Sequence, residues 1–474
     1  MALSRSRQKF GVWSLGKTLG GGGNGNVWQA SNPRGDVVAL KVLRRLDVVS
    51  YARFRSEIAV LSNNGDVDGI IPLIESYLPE NTATESPWYV MPLATPCATY
   101  LKDKSPVDIV REFIALARTI DTLHSRRISH RDIKPQNILA YKNRLCISDF
   151  GLVKYPEREP LTPPKRDVGP KFTMAPEMRR KAAEADGEPS DVFSFVKTLW
   201  IGLTKQEMGF DGQYSPNSDI ALKNYMHGLY TTKLDTLLAD CTDNAPDRRP
   251  TMGQVVQRLS EWIEVEEDFE RRNAIEWIEL MQLLFPAGAP DRATWTDIDA
   301  ICGVLTEIGK IPALNHMFYP GGGGNTITHV MRSKEEGFIE IEALGAFLVK
   351  PNKLTFESFG SSPDWNYFRF EAEEIDPVGE DISHRGYFEY LTEIEPARYG
   401  PPQLWDRAQY DPDCPLPTTA RPIIRFFHGT FVVFSTRSPY NLDSSTYDGR
   451  HSEMGEEEFR RYIQRSALVA KRKT

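Results

Sequence analysis

At 474 residues, with 40% apolar and 26% charged residues and a net charge of −8, the chain is too long for one core and has the composition of a folded, non-fibrous protein. The acidic balance speaks against broad nucleic-acid binding, and no nucleic-acid partner is expected. Five scattered cysteines (Cys97, Cys146, Cys241, Cys302, Cys414) without metal-ligand spacing read as reduced thiols of a cytoplasmic protein; no signal peptide is expected behind Met1–Lys9, and no apolar run approaches the ~18–20 residues of a membrane span.

In chain order, Phe10 to about Leu43 reads as strands around a glycine-rich turn, and Val49–Asn63 as a helix. Trp88–Leu93 is a short apolar strand leading into a connector. Helices dominate from Val107, where Ser105 caps a helix with Pro106 in its first turn. Val192–Leu203 is a strongly apolar helix and Met252–Trp262 an amphipathic one; the first region ends near Glu264, and the acidic Glu261–Glu267 stretch opens the second. There, Ala274, Ile275, Ile278, Met281 and Phe285 fall on one helical face, stopped by Pro286. Thr294 with Asp297 resembles a capping box before the stripe Ile298, Ile301, Leu305 and Ile308, with Gly309 as C-cap. Alternation then predicts strands over Ile339–Ala343 and Phe368–Glu373, and a hairpin of Ile423–Phe427 and Thr430–Ser435 around His428-Gly429. Glu456–Leu468 reads as a closing helix. Residues 265–474 are thus expected to be helical over 269–318, strand-rich over 337–436 and helical again over 456–468.

Three strings carry chemistry. Leu19–Val27 contains Gly20-x-Gly22-x-x-Gly25-x-Val27, a turn able to lie over phosphates and donate backbone N–H groups. Val38-Ala39-Leu40-Lys41 ends a strand on a lysine placed to reach phosphate oxygens. His130-Arg131-Asp132-Ile133-Lys134-Pro135-Gln136-Asn137, followed by Asp149-Phe150-Gly151, supplies the carboxylates and amide that hold an Mg²⁺-bound nucleotide and orient a hydroxyl against its terminal phosphate.

With these strings in this order, Phe10 to Glu264 resembles a eukaryotic-type serine/threonine protein kinase. The resemblance implies an α+β, bilobal protein kinase fold over residues 10–264, with an antiparallel N-lobe sheet plus one helix and a helical C-lobe. A separate α+β domain of unrecognised type follows over 265–474. It implies ATP and Mg²⁺ as cofactors. Lys41 would pair with Glu57, Asp132 accept or orient the substrate hydroxyl, Lys134 neutralise γ-phosphate charge, and Asn137 and Asp149 hold the metal. Gly20, Gly22 and Gly25 would cover the phosphates. Val27, Ala39 and Leu139 would sandwich the base, beside Met91 and a hinge over Pro92, Leu93 and Ala94. Ala175-Pro176-Glu177, Asp191 and Arg249 match the end of the activation segment, a buried anchoring aspartate and the partner of Glu177. Arg131 suggests control by phosphate on that segment, with Thr162 and then Thr173 as acceptors. Pro170 stands where the family has a threonine, whose link to the catalytic loop is therefore missing or taken by Thr173. The implied activity is phosphorylation of serine and threonine on protein substrates, with autophosphorylation. A regulatory or recruiting role is expected for 265–474, in a prokaryotic signalling or defence setting. The competing readings are a pseudokinase scaffold and a kinase of small molecules or antibiotics. Gly321–Gly324 is read as a flexible turn, and His384, His428 and His451 as isolated histidines.

Overall fold

In a computed structural model the chain divides into two compact units, Met1–Glu264 and Val265–Thr474. The structure describes residues 8–471 except 22–24, 81–84, 155–171, 181–183, 227–228, 312–313, 315–326, 328, 335, 343–345, 360–364, 374–386, 391–402, 407–420, 424, 427–428 and 436–453. Gly22, Thr162, Pro170, Gly321–Gly324, Cys414 and the three named histidines lie outside the described residues. No helix among the described residues is long and apolar enough to cross a membrane.

The first unit opens with an antiparallel sheet of β1 (Lys9–Phe10), β2 (Trp13–Gly21), β3 (Gly25–Ser31), β4 (Val37–Leu43), β5 (Glu75–Tyr77) and β6 (Trp88–Pro92), in the order β1-β2-β3-β4-β6-β5. Apolar alternation puts Trp13, Leu15, Ala30, Val38, Leu40, Trp88 and Val90 into one small core on one side of it. The other side is left for the site. Helix α1 (Val48–Asn63) follows β4, started by Asp47, whose carboxylate accepts from Ser50 N at 2.9 Å.

Beyond β6 come β7 (Thr95–Pro96), α2 (Cys97–Leu101) and α3 (Pro106–Ser125). Helix α3 begins as its sequence predicts, with Ser105 capping Asp108 N and Pro106 at the first position. Strand β8 (Ile138–Tyr141) pairs with β7 on one side and with β9 (Arg144–Ile147) on the other. Lys142 and Asn143, both at positive φ, make the two-residue turn between them. Helices α4 (Pro176–Arg180), α5 (Gly187–Thr204), α6 (Thr232–Cys241) and α7 (Met252–Glu267) complete the unit's helices. Helix α5 is almost wholly buried, as its apolar run requires, and Phe195 meets Phe113 of α3 edge-on at 5.5 Å. Helix α7 runs through the acidic Glu261–Glu267 stretch, which is therefore helix and not a break. Trp262 anchors it, fully buried and donating to Tyr230 O at 2.6 Å.

The second unit contains α8 (Phe269–Leu284), β10 (Arg292–Trp295), α9 (Ile298–Gly309), β11 (His329–Arg332), β12 (Ile339–Glu342), β13 (Ala346–Val349), β14 (Pro351–Glu357) and β15 (Tyr367–Ala372). It continues with β16 (Tyr387–Tyr390), β17 (Gln403–Asp406), β18 (Arg421–Ile423), β19 (Arg425–Phe426), β20 (Gly429–Phe434) and α10 (Glu456–Lys471). One sheet runs β10-β14-β15-β20, a second β11-β12-β13-β19, a third β17-β16-β18.

Several sequence expectations fail here. Helix α8 buries Asn273, Glu276, Trp277 and Leu280, while Ala274 and Ile278 face solvent. Trp277 sets the face, because its large ring packs on Phe368 at 5.6 Å and Phe356 at 6.4 Å. Arg272, paired with Glu266 at 2.7 Å, satisfies the polar end of that face. Residues 292–295 form a strand inside the segment expected to be helical, since Arg292–Trp295 pair with Leu354–Glu357. Thr294 belongs to that strand, so Asp297 alone caps α9, accepting from Ala300 N at 2.8 Å. Gly309 is the last residue of α9 and not its C-cap, which is Lys310. Among the described residues β19 and β20 do not pair with each other as the expected hairpin around His428-Gly429 requires: β19 pairs with β13 in parallel and β20 with β15. Arg369, which alternates with Phe368 and Phe370 along β15, is only 3% exposed, because α10 covers that side of the strand and Phe459 meets Tyr367 edge-on at 5.2 Å.

Candidate active site

The strand register gathers the predicted nucleotide-facing positions. Val27 lies opposite Lys41, Lys41 opposite Tyr89, and Ala39 opposite Met91, so these five residues share one face of the sheet. It is the face turned away from the tryptophan-rich core. Gly20 lies opposite Val27, and a side chain there would meet open space. Gly25 differs: a Cβ would stand 2.6 Å from the Val42 carbonyl oxygen, so only glycine lets β3 approach β4 that closely. Leu93 is exposed and Ala94 half-buried just after β6, and Leu139 is half-buried on β8.

Lys41 is the hub of this face. Its Nζ donates to Glu57 Oε1 of α1 at 2.7 Å and to Asp149 Oδ1 at 3.1 Å, joining residues 16 and 108 positions away. Burial would drive the lysine neutral, but the carboxylates of Asp149 and Glu57 hold it charged, with its pKa well above the ordinary value. Burial pushes the Glu57 carboxyl up to about 7. Asp149 is half-buried, its side chain 38% exposed; desolvation alone would raise it, yet Lys41 holds it down at about 2. Asp149 is therefore an anion at any working pH.

The loop carrying Asp132 is shaped by Asp191 of α5. This fully buried carboxylate accepts from His130 N at 2.7 Å and Arg131 N at 2.6 Å, and meets His124 Nε2 at 3.1 Å. Two adjacent amides bound by one carboxylate bend the chain, and Arg131 adopts φ 68° as a result. Gly187 lets α5 come close enough: a Cβ there would overlap the Ser129 hydroxyl. The His130 ring stands edge-on to Phe150 at 4.8 Å and meets Ser148 O at 3.0 Å, tying this loop to the one bearing Asp149, itself at φ 62°.

Around Asp132, Lys134 Nζ donates to Oδ2 at 2.8 Å, and Asn137 Nδ2 to Oδ2 at 2.9 Å and to the backbone oxygen at 2.8 Å. Oδ1 accepts no hydrogen bond. Burial raises the carboxyl, partly offset by Lys134. The Asn137 backbone accepts from Ser148 N at 2.8 Å, which brings Asn137 beside the Asp149 segment.

Arg249 makes the expected fork, with 2.6 and 2.9 Å bonds to the two oxygens of Glu177, and adds Pro189 O and Asp243 O. Ser190 also donates to Glu177, at 2.7 Å. Thr173 is buried and its hydroxyl makes no hydrogen bond, so it does not supply the expected link to the catalytic loop.

Lys41, Glu57 and Asp149, and Asp132, Lys134 and Asn137, are thus brought together as two linked clusters; of the catalytic, nucleotide-binding and metal positions, Gly22 lies outside the described residues. Sequence reasoning missed Tyr89, which bonds Glu57, and His124, which bonds Asp191. The signal for Tyr89 was its place two residues before Met91, on the same strand face.

Residues 13–263 match the family described as the protein kinase domain. The chain is 30% identical over 266 residues to the dual specificity protein kinase shkB of Dictyostelium discoideum, covering 52% of this chain and 39% of that protein. Serine/threonine-protein kinase ppk34 of Schizosaccharomyces pombe is 30% identical over 161 residues, 33% of this chain and 45% of its own length. The probable serine/threonine-protein kinase PknB of Lactococcus lactis is 29% identical over 230 residues, 45% of this chain and 34% of its own. The chain therefore spans less than half the length of each of these relatives. The matched domain takes in more than half of the chain and ends where the first compact unit ends. Its curled antiparallel sheet, helical second part and ion-paired lysine all fall within it, and on these grounds the chain belongs to the eukaryotic-type protein kinase family.

Proposed function

We propose that residues 10–264 catalyse ATP-dependent phosphorylation of serine and threonine side chains on protein substrates. The observation that carries this reading is Lys41 bridging Glu57 and Asp149 at 2.7 and 3.1 Å, an assembly that points one ammonium into the cleft face of the sheet. Val27, Ala39, Met91, Leu93, Ala94 and Leu139 bind the base, and Gly20, Gly22 and Gly25 cover the phosphates.

Asp149 and Asn137 offer hard oxygen donors, and Asp149 is held ionised. Among the described residues no group of three His, Cys, Asp or Glu side chains could cage a metal by itself. Such a two-residue set fits a cation that keeps water and phosphate ligands, as Mg²⁺ does. When bound, Mg²⁺ neutralises charge on the phosphates.

The chain's own residues do the rest. Lys41 binds phosphate oxygens, and Asp132 orients the acceptor hydroxyl and takes its proton as the oxygen–phosphorus bond forms and the bond to the leaving diphosphate breaks. Lys134 is already at Asp132 and sits where it can neutralise the transferring group. Residues 265–474 act as an accessory domain that regulates or recruits. Thr162 is the candidate autophosphorylation site.

Purified full-length protein incubated with labelled ATP, Mg²⁺ and a protein acceptor should place phosphate on serine or threonine, and Asp132→Ala should abolish it. Nucleotide binding without transfer would refute the proposal and favour a pseudokinase scaffold.

A further inference from the structure

Tyr89 has no place in the machinery above, yet it touches its centre. The residue lies on β6 directly opposite Lys41 of β4, 1% exposed. Its hydroxyl donates to Glu57 Oε1 at 2.8 Å, the same oxygen that takes Lys41 Nζ at 2.7 Å. Its ring lies 5.6 Å from Lys41 Nζ and 5.4 Å from the ring of Phe54, one turn before Glu57 on α1. The other Glu57 oxygen, Oε2, is buried and accepts no hydrogen bond.

A carboxylate held by the lysine alone can rotate and offer either oxygen. Held by two donors on one oxygen, it has a single orientation, and the lysine is left free to reach Asp149 as well. The phenol is suited to this task because burial and the nearby Glu57 charge keep it protonated and therefore a donor. The geometry points to Tyr89 as a positioning residue of the phosphoryl-transfer site, its hydroxyl fixing the Glu57 carboxylate so that Lys41 spans Glu57 and Asp149. This rests on the function proposed above.

The test compares wild type with Tyr89→Phe, Glu57→Ala and the double variant, at saturating Mg²⁺ and varied ATP. Tyr89→Phe keeps the ring against Phe54 and removes only the hydroxyl. Loss of a hydrogen bond to a charged group should lower kcat roughly tenfold or more. The ATP dissociation constant from calorimetry should move less than about twofold, since Lys41 remains. Adding Tyr89→Phe to Glu57→Ala should cost almost nothing further, because the acceptor is already gone. An unchanged kcat for Tyr89→Phe overturns the proposal. So does an equal loss with and without Glu57, or a loss that follows a lowered melting temperature and weakened ATP binding together. Inactive wild-type protein would instead sink the kinase reading, and this inference with it.

Discussion

Lys197 tests whether buried charge in this fold behaves as its surroundings dictate. It lies on α5 with no exposed surface, donating to Phe210 O at 2.8 Å, with its ammonium 4.7 Å from the ring of Phe193 and 4.4 Å from that of Phe210. Burial pulls its pKa down from 10.5 to about 7, the Asp211 charge resisting only in part. The unfolded chain holds the proton up to about pH 10.4, so between about pH 7 and 10.4 the unfolded state binds more protons and stability rises with pH. Stability is full above the unfolded pKa and lost as pH falls toward 7. The shift corresponds to about 5 kcal/mol across that window. Lys197→Met keeps the length and removes the charge, but leaves the Phe210 carbonyl without its donor, a loss of about 1–3 kcal/mol. The variant should therefore be more stable than wild type at pH 6–7 by about 2–4 kcal/mol. The advantage should shrink and reverse toward pH 10. Urea unfolding of both proteins at matched pH from 6 to 9.5, followed by tryptophan fluorescence, measures the difference and cancels other titrating groups. Parallel stability curves, or a variant weaker than wild type at pH 6, would refute the reasoning. The lysine also holds Phe210, next to Asp211, which pairs with Arg179 of α4 at 3.7 Å. A kcat loss in the more stable variant would assign Lys197 a share in shaping that loop.

Three other substitutions probe the site's frame. Asp191→Asn turns one acceptor oxygen into a donor facing the amide of His130 or Arg131, and should lower stability by about 2–3 kcal/mol and kcat with it; equal urea midpoints and kcat would show that the loop is held otherwise. Gly25→Ala forces a methyl against Val42 O and should cost about 1–3 kcal/mol and weaken ATP binding, while Gly20→Ala, in open space, should leave the fold's melting temperature unchanged. Equal melting temperatures for the two alanine variants would count against the close approach of β3 and β4.

The chemistry was legible in the chain because it sits in short strings. His130–Asn137 and Asp149–Gly151 place their groups on single loops, and Gly20–Lys41 on three consecutive antiparallel strands, so residues near in the chain are near in space. The helix start at Ser105 was readable for the same reason, as a cap bonds an amide three residues away. Tertiary structure alone decided the rest. The second donor on Glu57 comes from Tyr89, 32 residues distant, and the imidazole that meets Asp191 comes from His124 of α3, 67 residues away. In the second unit, Trp277 overrode the periodicity of Ala274 and Ile278, and cross-strand pairing drew Arg292–Trp295 out of an expected helical segment. Periodicity reports how apolar each face is, whereas burial depends on which partner surface arrives. That surface is contributed by residues far away in the chain.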